Sequence, residues 1–289
     1  MIIFFKSLQS IFSLIFIFPA GFALSIMQAA GWLTQAIINK TRIKKMVAEN
    51  IRLVLPKVDA EATAAKLINN TSYAIFEILC APFFKRKHFD SIVKWKGLEY
   101  LDQARKENKG VILVTMHAGN YEIVPPALSN RGYLVNSVLR ATNNQIFDII
   151  NRSRATGGAR LINVEEENMF KIALELLNKN ELVGLLADTG ALESRHIMHK
   201  FLGYDLPMAS GWLTLAQRAG CAVIPILTKK EGKMNLITLY EPLKIEKATR
   251  EEMVDKLVKI FEDFIKESPE QWLMFFNSYE TKRMLNKQT

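Results

Sequence analysis

Cysteine is nearly absent from this chain: Cys80 and Cys221 are the two examples in 289 residues. They stand far apart in apolar contexts with no metal-ligand spacing, so they read as reduced core thiols. Histidine is scarce as well, limited to His88, His117, His196 and His199. His196 and His199 lie at i, i+3 without a Cys or Glu-x-x-His partner, and no metal site is expected. Internal repeats, low-complexity tracts and Gly/Ser linkers are missing, which excludes solenoids and beads-on-a-string architectures. Acidic residues are outnumbered, 29 against 38 basic ones, for a net charge of +9 and a pI near 9.4. That balance points to an anionic partner, either nucleic acid or a membrane surface. Aromatic residues are not interleaved with the basic ones, so no nucleic-acid surface is expected. About half of the residues, 49%, are apolar, enough for a sizeable core.

Charge is also missing from the first 39 residues, where Lys6 stands alone. Residues 11–38 read IFSLIFIFPAGFALSIMQAAGWLTQAII, long enough to span a bilayer, which takes about 20 apolar residues. Pro19-Ala20-Gly21 is a natural kink, and Ser25, Gln28, Thr34 and Gln35 soften the second half, so the segment either spans or lies in the interface. A cleaved signal peptide, with Lys6 as its basic end, is the competing reading; the apolar text continues past an ordinary signal core. Lys40, Arg42, Lys44 and Lys45 follow at once. By the positive-inside tendency they hold this end, and all that follows, in the cytoplasm, beside anionic lipid head groups. The expected partition is an N-terminal hydrophobic membrane anchor, residues 1–39, and a catalytic domain, residues 40–289.

Past that point the pattern predicts amphipathic helices over 43–56 and from Asp59 to about Phe84, then alternation. Strands are expected at 92–96, 111–116, 133–139, 160–164, 182–187, 221–227 and 234–240, and helices at 98–107, 144–155, 165–177, 210–219 and 251–267. Thr189–Pro207 reads as a loop. Such alternation predicts an α/β fold with a largely parallel central sheet flanked by helices, preceded by an N-terminal membrane-associated helix.

The stretch Val111–Glu122, VILVTMHAGNYE, organises the rest. A brief branched apolar run suits a buried strand, and it delivers His117 to the turn where a sheet presents reactive side chains. Glu122 follows five residues later. With His117 in the turn and Glu122 at the start of the next segment, the carboxylate is placed to fix the imidazole tautomer and leave the other nitrogen as a base. Pro125-Pro126 disfavours helix at Val124 and Pro125 and predicts a broken or very short helix. Other strand ends carry Arg140, ahead of Asn144 and Asp148 at i, i+4 on one helix face, and Asp188. Arg140 is suited to clamping a phosphate or carboxylate.

At this point the sequence resembles a family. His117-Ala-Gly-Asn-Tyr-Glu122 is similar to the H-x4-[D/E] signature of lysophospholipid-type acyltransferases, and the likeness extends to the lipid A biosynthesis (late, Kdo-dependent) acyltransferases. These typically read H-F-G-N-W-E here. Their R-x3-N-x3-D segment is matched by Arg140, Asn144 and Asp148, and their A-D-Q strand end by Ala187-Asp188-Thr189. Phe201-Leu202-Gly203, the block from Ala216 to Pro225, Pro269–Trp272 and Asn50–Pro56 complete an ordered set over most of the chain. Ala118, Tyr121, Thr189 and Pro125-Pro126 depart from the pattern at positions bearing on the acceptor pocket and acyl specificity. The resemblance implies transfer of an acyl chain from a thioester, on acyl carrier protein or coenzyme A, to a hydroxyl of a lipid A precursor or related anionic glycolipid. A glycerophospholipid or lysophospholipid acceptor is the alternative. In that scheme His117 is the base and Glu122 its orienter. Backbone N–H groups at Gly119 and Asn120 meet the oxyanion, while Arg140, Asn144, Asp148, Arg154 and Asp188 line the acceptor site. No metal or resident cofactor is needed, and the site is expected at the cytoplasmic face of the inner membrane.

Overall fold

A computed structural model describes residues 14–140, 145–155, 158–188, 196–243, 249–278 and 281. Three helices lead: α1 (Ala20–Ile38), α2 (Arg42–Val54) and α3 (Ala60–Cys80). Then come α4 (Arg86–Ile92), β1 (Val93–Lys96), α5 (Leu98–Arg105), β2 (Val111–Thr115), α6 (Val124–Ser129), β3 (Val135–Leu139), α7 (Gln145–Arg154), β4 (Leu161–Asn163), α8 (Met169–Asn178) and β5 (Leu182–Leu186). A hairpin follows, β6 (His196–Phe201) and β7 (Tyr204–Ala209), and the chain continues as α9 (Gly211–Ala219), β8 (Ala222–Glu231), β9 (Met234–Leu239) and α10 (Arg250–Glu267).

Seven strands form one sheet in the order β1-β9-β8-β2-β5-β3-β4. β8, β2, β5, β3 and β4 run parallel, while β9 is antiparallel to β8 and carries β1 parallel to itself. The fold is α/β with a mostly parallel sheet, as the alternating pattern predicts. Burial on both faces explains why β2 is apolar throughout: Ile112 and Val114 join the core formed with α2, α3, α8, α9 and α10, while Val111 and Leu113 join the opposite core with α4, α5 and α6. Helix starts are chemically marked. Asp59 accepts from the Ala62 N–H at 3.0 Å, and Thr249 with Glu252 forms a reciprocal capping box at the head of α10.

Two expectations need correcting. Within 189–207, where a loop was expected, residues 196–209 form the β6–β7 hairpin; its turn places Leu202 at φ 54° and Gly203 at φ 87°. Leucine is an uncommon residue for such a turn, so no turn signal marks it; its N–H is held by the Glu262 carboxylate at 2.7 Å. Val124 adopts helical angles despite preceding Pro125, because the prolines fall in the first turn of α6, where their missing N–H groups cost nothing. Past the expected helix end near Phe84, Lys85 leads into a further short helix, α4, that precedes β1.

α1 is 19 residues with a mean hydropathy of 1.3, long and apolar enough to cross a membrane. Its small face is the buried one. Ala23, Leu24, Met27 and Gly31 are covered by the domain, while Phe22, Trp32, Leu33 and Ile37 stay exposed. At Gly31 a Cβ would lie 2.6 Å from the Tyr73 ring and 3.2 Å from the Tyr73 Cα on α3. Gly31→Leu is therefore expected to weaken the docking of α1 by about 1–3 kcal/mol. Hydrogen exchange should show α1 amides losing protection while β2 amides keep theirs.

Candidate active site

The parallel strands β2 and β5 end along one edge, and that edge gathers His117 and Asp188. β2 and β5 are neighbours in register, Thr115 opposite Leu186, so the residues following each strand meet. His117 follows β2 and Asp188 follows β5. The imidazole Nδ1 lies 2.8 Å from Asp188 Oδ1. The His117 backbone N–H donates to Asp188 Oδ2 at 2.9 Å, and the Trp272 indole N–H donates to the same oxygen at 3.1 Å. Asp188 is buried. Burial alone pushes its pKa up, but the imidazole and the three hydrogen bonds hold it below the ordinary 3.8. An ionised carboxylate only accepts, so Nδ1 carries the hydrogen of the neutral ring and Nε2 is left as the basic atom. Burial pulls the His117 pKa down; the Asp188 charge and hydrogen bond, with a smaller contribution from Glu122, outweigh it and set it above 6.5.

Glu122 is not the partner of His117. The chain leaves the histidine through a single 3₁₀ turn, Tyr121–Ile123, which turns the Glu122 carboxylate toward α7. There the Arg154 guanidinium grips it in a two-pronged fork, Nε to Oε2 at 2.6 Å and Nη2 to Oε1. Both side chains are buried, 9% and 6% exposed. The orienting bond expected of Glu122 is therefore made by Asp188. Arg154, expected to hold acceptor phosphates, has its guanidinium committed to Glu122 and to Asn151 Oδ1 at 3.2 Å. The Tyr121 hydroxyl sits against this pair, its pKa pushed well up by burial and by Glu122, and its ring packs edge-on to His117 at 5.2 Å.

Two further expectations change. The Gly119 N–H donates to the Gln271 carbonyl at 2.8 Å and is not available to an oxyanion. What Gly119 supplies is shape: φ is 56°, and a Cβ there would sit 2.0 Å from the Thr228 carbonyl oxygen. The Asn120 side chain points to buried Glu77, donating at 2.8 Å. Arg140 sits at the C-terminal end of β3, exposed, with a loose contact to Glu165 at 3.6 Å. Asp148 is exposed on α7, and Asn144 lies outside the described residues. Trp272 was legible only as part of a Pro-Glu-Gln-Trp element; its role depends on the bridge that pairs it with Ala118. Beside the fork opens a shallow crevice lined by Tyr121, Val135, Val138, Leu185, Leu186 and Ile226, with Gly184 in its wall.

The model of the bacterial lipid A biosynthesis acyltransferases matches residues 3–281. The chain belongs to that family. It is an acyl-transferring enzyme. The 1-acyl-sn-glycerophosphate acyltransferase PlsC of Thermotoga maritima is similar to it at 16% identity and a TM-score of 0.38, over 85% of this chain and 97% of that one. No curated protein matches the acyltransferase.

Two outcomes follow from the geometry. Asp188→Asn removes the charge that raises the His117 pKa and leaves the burial that lowers it. A base must be unprotonated, so wild-type activity should fade as pH drops through a value above 6.5; in the variant this acid limb should move to lower pH, with turnover down about 10²–10⁴-fold. Glu122→Ala strands a buried guanidinium and should cost about 3–5 kcal/mol in denaturant unfolding, whereas Glu122→Gln, which keeps one acceptor, should cost less.

Proposed function

We propose that this acyltransferase moves a fatty acyl chain from a thioester, carried on acyl carrier protein or coenzyme A, to a hydroxyl of a lipid A precursor or related glycolipid. The observation that carries the reading is His117 with Nδ1–H donated to a buried carboxylate and Nε2 left basic, at the shared edge of β2 and β5. Nε2 takes the acceptor's hydroxyl proton as that oxygen attacks the thioester carbonyl. The new C–O bond forms, the C–S bond breaks, and the imidazolium returns the proton to the departing sulfur. Asp188 stabilises the imidazolium while it lasts. The Glu122–Arg154 fork fixes the far end of the motif, and with the Gly119 N–H committed to Gln271 the oxyanion is assigned to the backbone N–H of Asn120.

The crevice beside the fork is assigned to the acyl chain. Its walls are mostly apolar side chains from β3, β5 and β8, with Glu122, Arg154, Thr115 and Ser137 also in the lining, and Gly184 already leaves only 3.0 Å between an added Cβ and Val135 Cγ1. Arg140, exposed and loosely paired, is assigned to a phosphate or sugar-acid group of the acceptor, with Asp148 nearby in sequence. Residues 1–39 are assigned as the membrane anchor and 40–289 as the catalytic domain at the cytoplasmic face of the inner membrane. The support is α1, with exposed Phe22, Trp32, Leu33 and Ile37, followed by exposed Lys40, Arg42 and Lys45. The net charge of +9 favours both anionic lipid and an acidic carrier protein.

The test is acyl transfer in membranes containing wild type or His117→Ala, with products identified by mass spectrometry. His117→Ala should lose about 10²–10⁴-fold in turnover, and equal rates would refute the mechanism. The mass of the acylated product separates a glycolipid acceptor from a lysophospholipid. Gly184→Leu, which fills the crevice, should shift the preferred donor toward shorter acyl chains in competition assays; an unchanged chain-length profile would remove the crevice from the acyl path.

A further inference from the structure

Behind the catalytic loop lies a buried charge pair that the chemistry above does not use. Glu77, on α3, is 6% exposed, and Lys230, on β8, is 2% exposed. Glu77 Oε1 accepts from the Lys230 ammonium. Glu77 Oε2 accepts from two side-chain amides, Asn235 and Asn120, each at 2.8 Å. The Lys230 backbone is gripped at both ends by one side chain: its N–H donates to Gln271 Oε1 at 2.9 Å, and its carbonyl accepts from Gln271 Nε2 at 3.0 Å. Gln271 in turn accepts, at its own carbonyl, the N–H of Gly119 at 2.8 Å.

These bonds form a closed ring: Glu77, Lys230, Gln271, Gly119, Asn120 and back to Glu77. The ring closes on the two residues of the loop that follow His117-Ala118. The next residue along the C-terminal segment, Trp272, holds Asp188, and the Leu273 N–H donates to the His117 carbonyl at 2.8 Å. Both partners of the dyad are therefore braced by the same segment that the ring anchors. Stability alone does not account for such charges, because a buried ion pair replaced by apolar side chains of similar size commonly leaves a fold as stable or more so. What a carboxylate with three donors supplies is fixed geometry.

We propose that Glu77 and Lys230 are positioning residues for acyl transfer, holding the His117–Asn120 loop in its reactive shape through the side chain of Asn120 and the backbone of Gly119. The proposal rests on the reading of His117 as the base. Glu77, Lys230 and the side chain of Asn120 set where the loop sits without touching the reacting atoms, so their loss is expected in turnover rather than in substrate affinity.

The experiment compares full-length wild type with Glu77→Met/Lys230→Met, Asn120→Leu and His117→Ala in the same membranes. The double variant removes both charges together. Asn120→Leu cuts only the loop's arm and leaves Glu77 with Lys230 and Asn235, so its folding does not depend on the buried pair. Both are expected to lose about 10²-fold in kcat, as for a reacting group displaced by about 1 Å, with KM for the thioester within about twofold of wild type, the signature of a lost transition-state interaction. Asn120→Leu should melt within a few degrees of wild type. Wild-type kcat in a folded Asn120→Leu, or a loss carried wholly by KM, overturns the proposal whether or not the double variant folds. An inactive His117→Ala beside a fully active Asn120→Leu refutes the positioning role alone. Equal rates for wild type and His117→Ala refute the base assignment and this proposal with it.

Discussion

The bond between His117 and Asp188 is the constraint on which the site depends. It joins the ends of two neighbouring strands, and it works only if the carboxylate stays ionised inside the protein. Three donors accomplish this: the imidazole N–H, the backbone N–H of His117 itself and the Trp272 indole. Each is a charge-assisted hydrogen bond, and together they outweigh the desolvation that would otherwise protonate Asp188. Two of the donors come from the residue being oriented and the third from near the far end of the chain. The site is thus complete only when the C-terminal segment has closed over the strand ends.

The two ends of the His-x4-Glu motif accordingly do different work. His117 faces Asp188 and is available to chemistry. Glu122, turned away by a 3₁₀ turn, is locked to Arg154 on α7 and ties the motif to a helix that follows β3. Between them, Gly119 and Asn120 are held from behind by Gln271 and Glu77. A stretch of six residues is therefore tethered by α3, β5, α7 and the segment after α10, which is a physical reason for a short motif to sit among widely spaced partner residues.

Much of the architecture was legible in advance. Alternating strands and helices, the buried β2 and the short helix after the motif follow from period and composition, because local sterics and burial on two faces act over a few residues. The β6–β7 hairpin is hidden in the sequence because its turn uses Leu202, whose positive φ accompanies a hydrogen bond from its N–H to a distant carboxylate, Glu262. β8 runs four residues past Leu227, the end that the apolar pattern predicts. Its polar tail, Thr228 to Glu231, stays in the ladder because β9 continues to pair with it and because Lys230 finds Glu77. Glu77 is a carboxylate set within the apolar run Ala74–Cys80 of α3, a signal readable in the sequence, whereas its partner, 153 positions away, is not.

By itself the sequence determined the fold class, the strand that carries His117, the apolar lead helix and the set of polar residues at strand ends. These are consequences of hydrophobic period, helix capping and chain stiffness, all short-range. Only the tertiary structure decided which of those residues pair: Asp188 rather than Glu122 with His117, Arg154 with Glu122, Asn120 with Glu77. Pairing depends on which strands lie side by side and on where desolvated charges find partners. Strand order in a parallel sheet is set by crossovers dozens of residues long, so no local spacing encodes it.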